Sequence, residues 1–169
     1  MHQTKQLDSK ENKDPQGDST LYQSRQWVKL LWIMLPLLTV GVALFDGRHL
    51  ALPQLLRSLL LIAIINLLVL SIFGHLTIKL YAQELRWHFG FFSWPKWQLK
   101  LSDIVHVEVC QTQWFEGKGI RFTKEGMLYN ADGNGAVRIT KADGKKIRIG
   151  SAEPEVLCAQ LNLALSSKK

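Results

Sequence analysis

From Ser58 to Ile78 the chain runs 21 residues without an Asp, Glu, Lys or Arg, with Arg57 and Lys79 closing the run. At about 1.5 Å per residue, a helix of that length reaches roughly 30 Å, the thickness of a bilayer's hydrocarbon core. Its centre, Leu59-Leu60-Leu61-Ile62-Ala63-Ile64-Ile65-Asn66-Leu67-Leu68-Val69-Leu70, is apolar on every helical face. A surface helix would keep one polar face, so the run predicts a membrane span. Asn66 and His75 are polar groups within it, Asn66 a candidate for packing against a neighbouring helix. His75 falls near the exit, within reach of headgroups.

A second run precedes it. Leu30 to Phe45 is free of charge, and Trp27, Lys29 and Trp32 extend it, because Trp settles at the interface and Lys snorkels. Pro36 and Gly41 are tolerated in membrane helices, and Asp46-Gly47-Arg48 ends the run. The two runs predict a two-helix membrane hairpin within residues 25–78, with spans near 27–45 and 58–78 and a short loop containing Pro53. The basic flanks Arg25, Lys29, Lys79, Arg86 and Lys96 outnumber Arg48 and Arg57 in the loop. That bias predicts a multi-pass inner (plasma) membrane protein with both termini cytoplasmic. Residues 1–24 are polar, notably Lys10-Glu11-Asn12-Lys13-Asp14, and are expected to form a disordered tail. The first apolar run starts too late for a signal peptide.

Charge divides the chain further. Of the net +7, residues 79–169 carry +5, with fourteen Lys and Arg against nine Asp and Glu. That excess suits nucleic acid, anionic lipid or an acidic partner, and equally a solubilising surface. The same segment changes period from helical to alternating. Leu76 to Tyr81, Leu85 to Phe89, Trp97 to Leu101 and Val105 to Val109 each alternate at period two, which predicts an antiparallel β-sandwich or barrel.

Two hairpins follow. The first turns near Lys124-Glu125-Gly126 and places Ile120 and Phe122 opposite to Arg121. In the second, Val137 and Ile139 must share a face with Ile147 and Ile149. A two-residue turn at Asp143-Gly144 would pair Ile139 with Arg148, on the wrong face. A three-residue loop, Ala142-Asp143-Gly144, pairs 139 with 147 and 137 with 149, and requires Gly144 to be left-handed. The same register sets Arg138 opposite Arg148 and Thr140 opposite Lys146. The candidate anionic-surface contact is therefore Arg121, Arg138, Lys146 and Arg148. A final helix follows, with Ser151 as N-cap, Pro154 in its first turn, and Leu157, Cys158, Leu161, Ala164 and Leu165 as one apolar stripe.

No metal-ligand spacing joins the five histidines or the two cysteines, and neither a P-loop nor a G-x-S-x-G elbow occurs. Cys110 and Cys158 are expected as packed free thiols. No cofactor is expected, and no catalytic residue is assigned. Phe91-Phe92-Ser93-Trp94-Pro95 is read either as an interfacial loop or as core packing.

Strands closed by one amphipathic C-terminal helix are the layout of a pleckstrin-homology-like (PH-like) domain. Gly117-Lys118-Gly119-Ile120-Arg121-Phe122-Thr123 with Gly126-Met127-Leu128-Tyr129-Asn130, and Gly144 with Arg148-Ile149-Gly150 and Glu153-Pro154-Glu155, resemble small bacterial inner-membrane proteins. In that family two membrane helices precede a PH-like domain. The resemblance covers Val28 to Leu165 and implies a fold rather than an activity. Met127 and Ser151-Ala152 depart from its pattern. The expected architecture is an α+β membrane protein: a transmembrane hairpin, then a PH-like domain over 79–169. The expected role is a binding or scaffolding module for anionic lipid or a protein partner, without enzymatic activity or nucleic acid. The alternative is a structural subunit packed through its membrane helices in a larger complex.

Overall fold

A computed structural model describes residues 19–112 and 118–167. Residues 1–18 of the expected tail, and Trp114, Phe115, Glu116 and Gly117, lie outside the described residues. Tyr22, Ser24 and Gln26 alternate with Gln23, Arg25 and Trp27, and this polar alternation forms strand β1 (Thr20–Trp27). Residues 20–24, expected in the tail, therefore belong to the folded part. Helix α1 (Lys29–Asp46) follows after one residue, then α2 (Leu52–Phe73) and, again after one residue, strand β2 (His75–Tyr81). The remaining strands are β3 (Glu84–Phe89), β4 (Lys96–Lys100), β5 (Ile104–Gln111), β6 (Gly119–Thr123), β7 (Gly126–Asn130), β8 (Gly135–Lys141) and β9 (Lys146–Gly150). Helix α3 (Pro154–Ser166) closes the chain.

The second expected span thus moves from 58–78 to Leu52–Phe73. Pro53 sits in the first turn of α2, where its missing N–H costs nothing. At the other end the Gly74 N–H bonds the Leu70 carbonyl and the helix stops. Leu76, Ile78 and Leu80 then alternate into the core, each at most 1% exposed. The uncharged run had joined a helix to a buried strand, which hydropathy alone does not separate. The β-domain accordingly begins at β1 rather than at residue 79.

The architecture is α+β, with two sheets and three α-helices among the described residues. One sheet is ordered β1-β2-β3-β4 and the other β5-β8-β9-β7-β6. The second sheet is mixed rather than purely antiparallel. β9 inserts between β8 and β7, so it pairs antiparallel with β8 and parallel with β7. Between the sheets lie Leu76, Ile78, Leu80, Leu85, Trp87 and Phe89 from the first, and Val107, Val137, Ile139 and Ile149 from the second. Leu157, Cys158, Leu161 and Ala164 of α3 complete the core, as their stripe predicts. Each large apolar side chain buried in this way contributes about 1.5–3 kcal/mol. Ser151 is not the N-cap of α3. Glu153 holds that position, and the Ser151 hydroxyl accepts the Glu153 N–H at 3.2 Å.

The register of the last hairpin follows the parity argument. Ile139 pairs with Ile147, Val137 with Ile149 and Arg138 with Arg148. The Gly144 N–H bonds the Lys141 carbonyl at 2.9 Å, and Gly144 has φ +79°. A side chain there would meet no neighbour within 4 Å, so only the backbone conformation opposes one. Gly144→Val should therefore destabilise the full chain by about 1 kcal/mol or more. Denaturant unfolding of the detergent-solubilised protein measures this, and an unshifted midpoint would show that the bulged turn carries no strain for valine.

Candidate functional site: a basic sheet face beside the helix ends

The four basic residues singled out by the sequence divide into two kinds. Arg121 and Lys146 are exposed. Arg148 is 2% exposed, with Nη2 donating to the Thr123 hydroxyl at 2.9 Å and Nη1 lying 3.7 Å from Glu125. Arg138 is clamped between two carboxylates, bonding Glu108 at 2.7 Å and Glu125 at 2.7 Å. These bonds hold the Arg138 guanidinium firmly charged and draw the Glu108 carboxyl below its ordinary range. The like charges of Arg138 and Arg148 thus share Glu125, which relieves their opposition. This face is internally neutralised and offers Arg121 and Lys146 alone to a partner. The β5–β8 register that sets Glu108 opposite Arg138 was not read from the sequence.

An excess of positive charge lies instead on the outer face of the β1–β4 sheet. Since Leu76, Ile78 and Leu80 point into the core, His75, Thr77, Lys79 and Tyr81 point away from it. Cross-strand partners share that face: Arg25 opposite Thr77, Arg86 opposite Lys79, His88 opposite Thr77 and Lys96 opposite His88. Lys100 pairs with Glu84 at the far end. Five cations, Arg25, Lys79, Arg86, Lys96 and Lys100, thus share this face, and among the described residues Glu84 is the carboxylate set among them on the paired strands. That carboxylate, Glu84, takes the Arg86 Nε at 2.6 Å, and the guanidinium lies 4.7 Å from the centre of the Tyr81 ring. Several of these residues stand out in the sequence as flanking charges. Their convergence does not, because they come from four different strands, and Arg25 reaches the face through β1, which looks like a polar tail.

Arg25 and Lys96 are at the end of this face nearest the helices. Arg25 is two residues from Trp27, about 7 Å along the strand. Beside them the β3–β4 turn holds Phe91, Phe92 and Trp94, which are 56%, 74% and 63% exposed. The turn is pinned to α2, since the Phe91 N–H bonds the Ser71 carbonyl at 2.8 Å. Gly90, at φ +66°, has the Ser71 and Ile72 carbonyls where a side chain would go. Of the two readings of this segment, core packing therefore fails for Phe91, Phe92 and Trp94.

His75 fills the corner between the basic face and the aromatic turn. Its ring lies 4.7 Å from Phe91, 5.4 Å from Trp27 and 6.5 Å from His88. Burial, then the neighbouring charge of Arg25 and His88, lowers its pKa to about 4. His88 is lowered too, by burial first, with Lys79 and Arg25 adding to the effect against backbone hydrogen bonds. The histidines thus register the positive potential of the face.

Asn66 packs where the sequence suggests, but within its own chain. Its amide donates to the Thr39 hydroxyl at 2.7 Å and to the Leu35 carbonyl at 3.3 Å, joining α2 to α1. Both cysteines are free thiols, Cys158 buried and Cys110 half-buried, and burial raises both.

A histidine kept neutral by folding stabilises the fold above its unfolded pKa, near 6.5, and that contribution is lost as pH falls toward 4. The thermal midpoint of the full chain in detergent should fall over that interval. His75→Phe should fall less steeply over it, and a variant profile parallel to the wild type would remove His75 as the cause.

Comparison of the chain with protein-family models, with curated proteins and with solved structures finds no match, so the likeness to two-helix membrane proteins rests on the residues quoted above.

Proposed function

We propose that the protein is a membrane-anchored binding module, whose helical hairpin crosses the inner (plasma) membrane and whose basic, PH-like β-domain lies against anionic headgroups on the cytoplasmic side. The observation that carries this reading is the insertion of the hairpin into a strand pair. Trp27 pairs with His75, and the Val28 N–H bonds the Gly74 carbonyl at 3.0 Å. The ladder thus runs up to the helices with one residue on either side, leaving no slack between anchor and domain.

The apolar surface of the hairpin supports its place in lipid. No residue of α2 is buried, and Leu60, Leu61, Ile64 and Leu67 are each more than half exposed. A contiguous apolar surface of this kind on both helices marks a membrane or partner contact. Among the described residues α2 is the one helix long and apolar enough to cross, the apolar part of α1, Lys29–Phe45, being shorter. Yet a single crossing by α2 would leave β1 and β2 on opposite sides of the bilayer, where they could not pair. Their ladder favours an even number of crossings. Trp27, Trp32, Phe91, Phe92 and Trp94 gather at the level where the helices meet the sheet, suited to a membrane interface.

With the domain rigidly held, the cations nearest the helices would sit within a Debye length of the leaflet, where each gains about 1 kcal/mol from anionic lipid. The subunit alternative draws less support, because Asn66 is satisfied by Thr39 and Leu35 of the same chain.

Two measurements test the proposal. Reporters fused at Asp18 and at Lys169 should both read cytoplasmic and one at Gly47 external; a cytoplasmic Gly47 would remove the hairpin topology. In nanodiscs, amide exchange over 90–95 should be slower with phosphatidylglycerol than with phosphatidylcholine alone. Arg25→Glu/Lys96→Glu should abolish that difference, and equal exchange in both lipids for the unaltered chain would leave the face as solubilising charge.

A further inference from the structure

Between the helix ends and the open end of the sandwich lies a cavity of about 380 Å³, lined by Leu31, Val69, Phe73, Phe89 and Ile120, with Lys118 among its walls. Leu31 comes from α1, Val69 and Phe73 from α2, Phe89 from the core face of β3, and Ile120 from the edge strand β6. The cavity therefore joins the apolar hairpin to the interior of the β-domain. Its volume is near the lower bound for small-molecule sites, about 300–1,000 Å³, so a chain segment fits better than a whole lipid. Water gains little there, since a lining of this kind gives it few polar partners.

Charge at the site indicates what the chain segment would be attached to. Lys118 and Lys29 both pair with the Asp132 carboxylate, Lys29 at 3.1 Å. Burial opposes ionisation of Asp132, but the hydrogen bonds from Lys118 and Lys29 outweigh it and hold the carboxyl below its ordinary range. The Gln26 side chain also donates to the Asp132 carbonyl, tying this corner to β1. Two ammonium groups on one carboxylate leave one positive charge in excess, and Lys29 remains 75% exposed. A phosphate can accept from both lysines without displacing the carboxylate.

We infer that this cavity takes one acyl chain of a bilayer glycerophospholipid, whose phosphate sits at Lys29 and Lys118. The inference rests on the membrane reading above, because the lipid must reach the cavity from the leaflet around the helices. It makes the domain a holder of a single lipid, beyond a surface laid on many.

The test uses the full chain in vesicles containing a phosphatidylglycerol with a photoreactive group near the end of one acyl chain. After illumination, labelled peptides are located by mass spectrometry. Labels on α1 and α2 near Leu38 and Leu61 report the membrane reading. A label on the peptide carrying Ile120, in the β-domain, reports the cavity. Both are expected. Ile120→Trp, which fills the cavity, should lower the β6 label several-fold and leave the helix labels unchanged. Leu31→Trp should do the same from the opposite wall, should the first variant fail to fold. Labels on the helices without a β6 label would overturn the inference and spare the membrane reading. An unlabelled hairpin would overturn both. A β6 label unchanged in a folded cavity-filling variant would also overturn it, since the lipid would then reach β6 by another route.

Discussion

The ladder between β1 and β2 joins two segments separated by the 47 residues from Val28 to Gly74. Each of its hydrogen bonds is ordinary, yet the placement of every other element follows from it. It makes β2 a central strand, buried on both faces at Leu76, Thr77 and Ile78. It also fixes the two helices as a continuation of two paired strands. Closing so long a loop costs little more than closing a short one, because the entropy grows with the logarithm of length. Packing of α1 on α2, secured at Asn66, shortens the effective loop further.

Rigidity at this junction changes what surface charge is needed for. A domain on a flexible tether would need several cations to choose one orientation toward a leaflet. Here the strand pair sets the orientation, and the pinned Phe91 turn and the Gln26–Asp132 corner brace it from two sides. In the proposed membrane setting, the exposed Arg25 and Lys96 at the helix end of the first sheet would then select what it lies against. The second sheet, with Glu108 and Glu125 clasping Arg138, is built for cohesion and presents Arg121 and Lys146 beyond its internal pairs.

Local signals were legible in the sequence and distant ones were not. Face parity at Val137, Ile139, Ile147 and Ile149 determined a register and a left-handed glycine, because a hairpin's partners lie within a few residues. The apolar stripe of α3 was legible for a similar reason. β1 was not, since Gln23, Ser24, Arg25 and Gln26 look like tail until their partner, some 50 residues on, is known. The helix end at Gly74 was missed because a strand buried on both faces is as apolar as a span. The basic face went astray on the same grounds. Arg138 and Arg148 are neighbours in one hairpin, but the carboxylates that neutralise them come from β5 and from the β6–β7 turn, while Arg25 and Lys96 converge only through the first sheet.

The interrupted strand pair also bears on the order of events during synthesis. β1 leaves the ribosome well before β2 exists, its row of backbone donors and acceptors met by water rather than by a partner strand. Its partner follows in the chain only after both helices have been made. The completed ladder then runs from Trp27 and His75 beside the helices to Thr20 and Tyr81 at the far end. A chain whose helices failed to turn back on one another would leave β1 away from β2, and the first sheet would have an unpaired edge at β2. In this topology the antiparallel course of two helices is a condition for closing a sheet that lies beyond them.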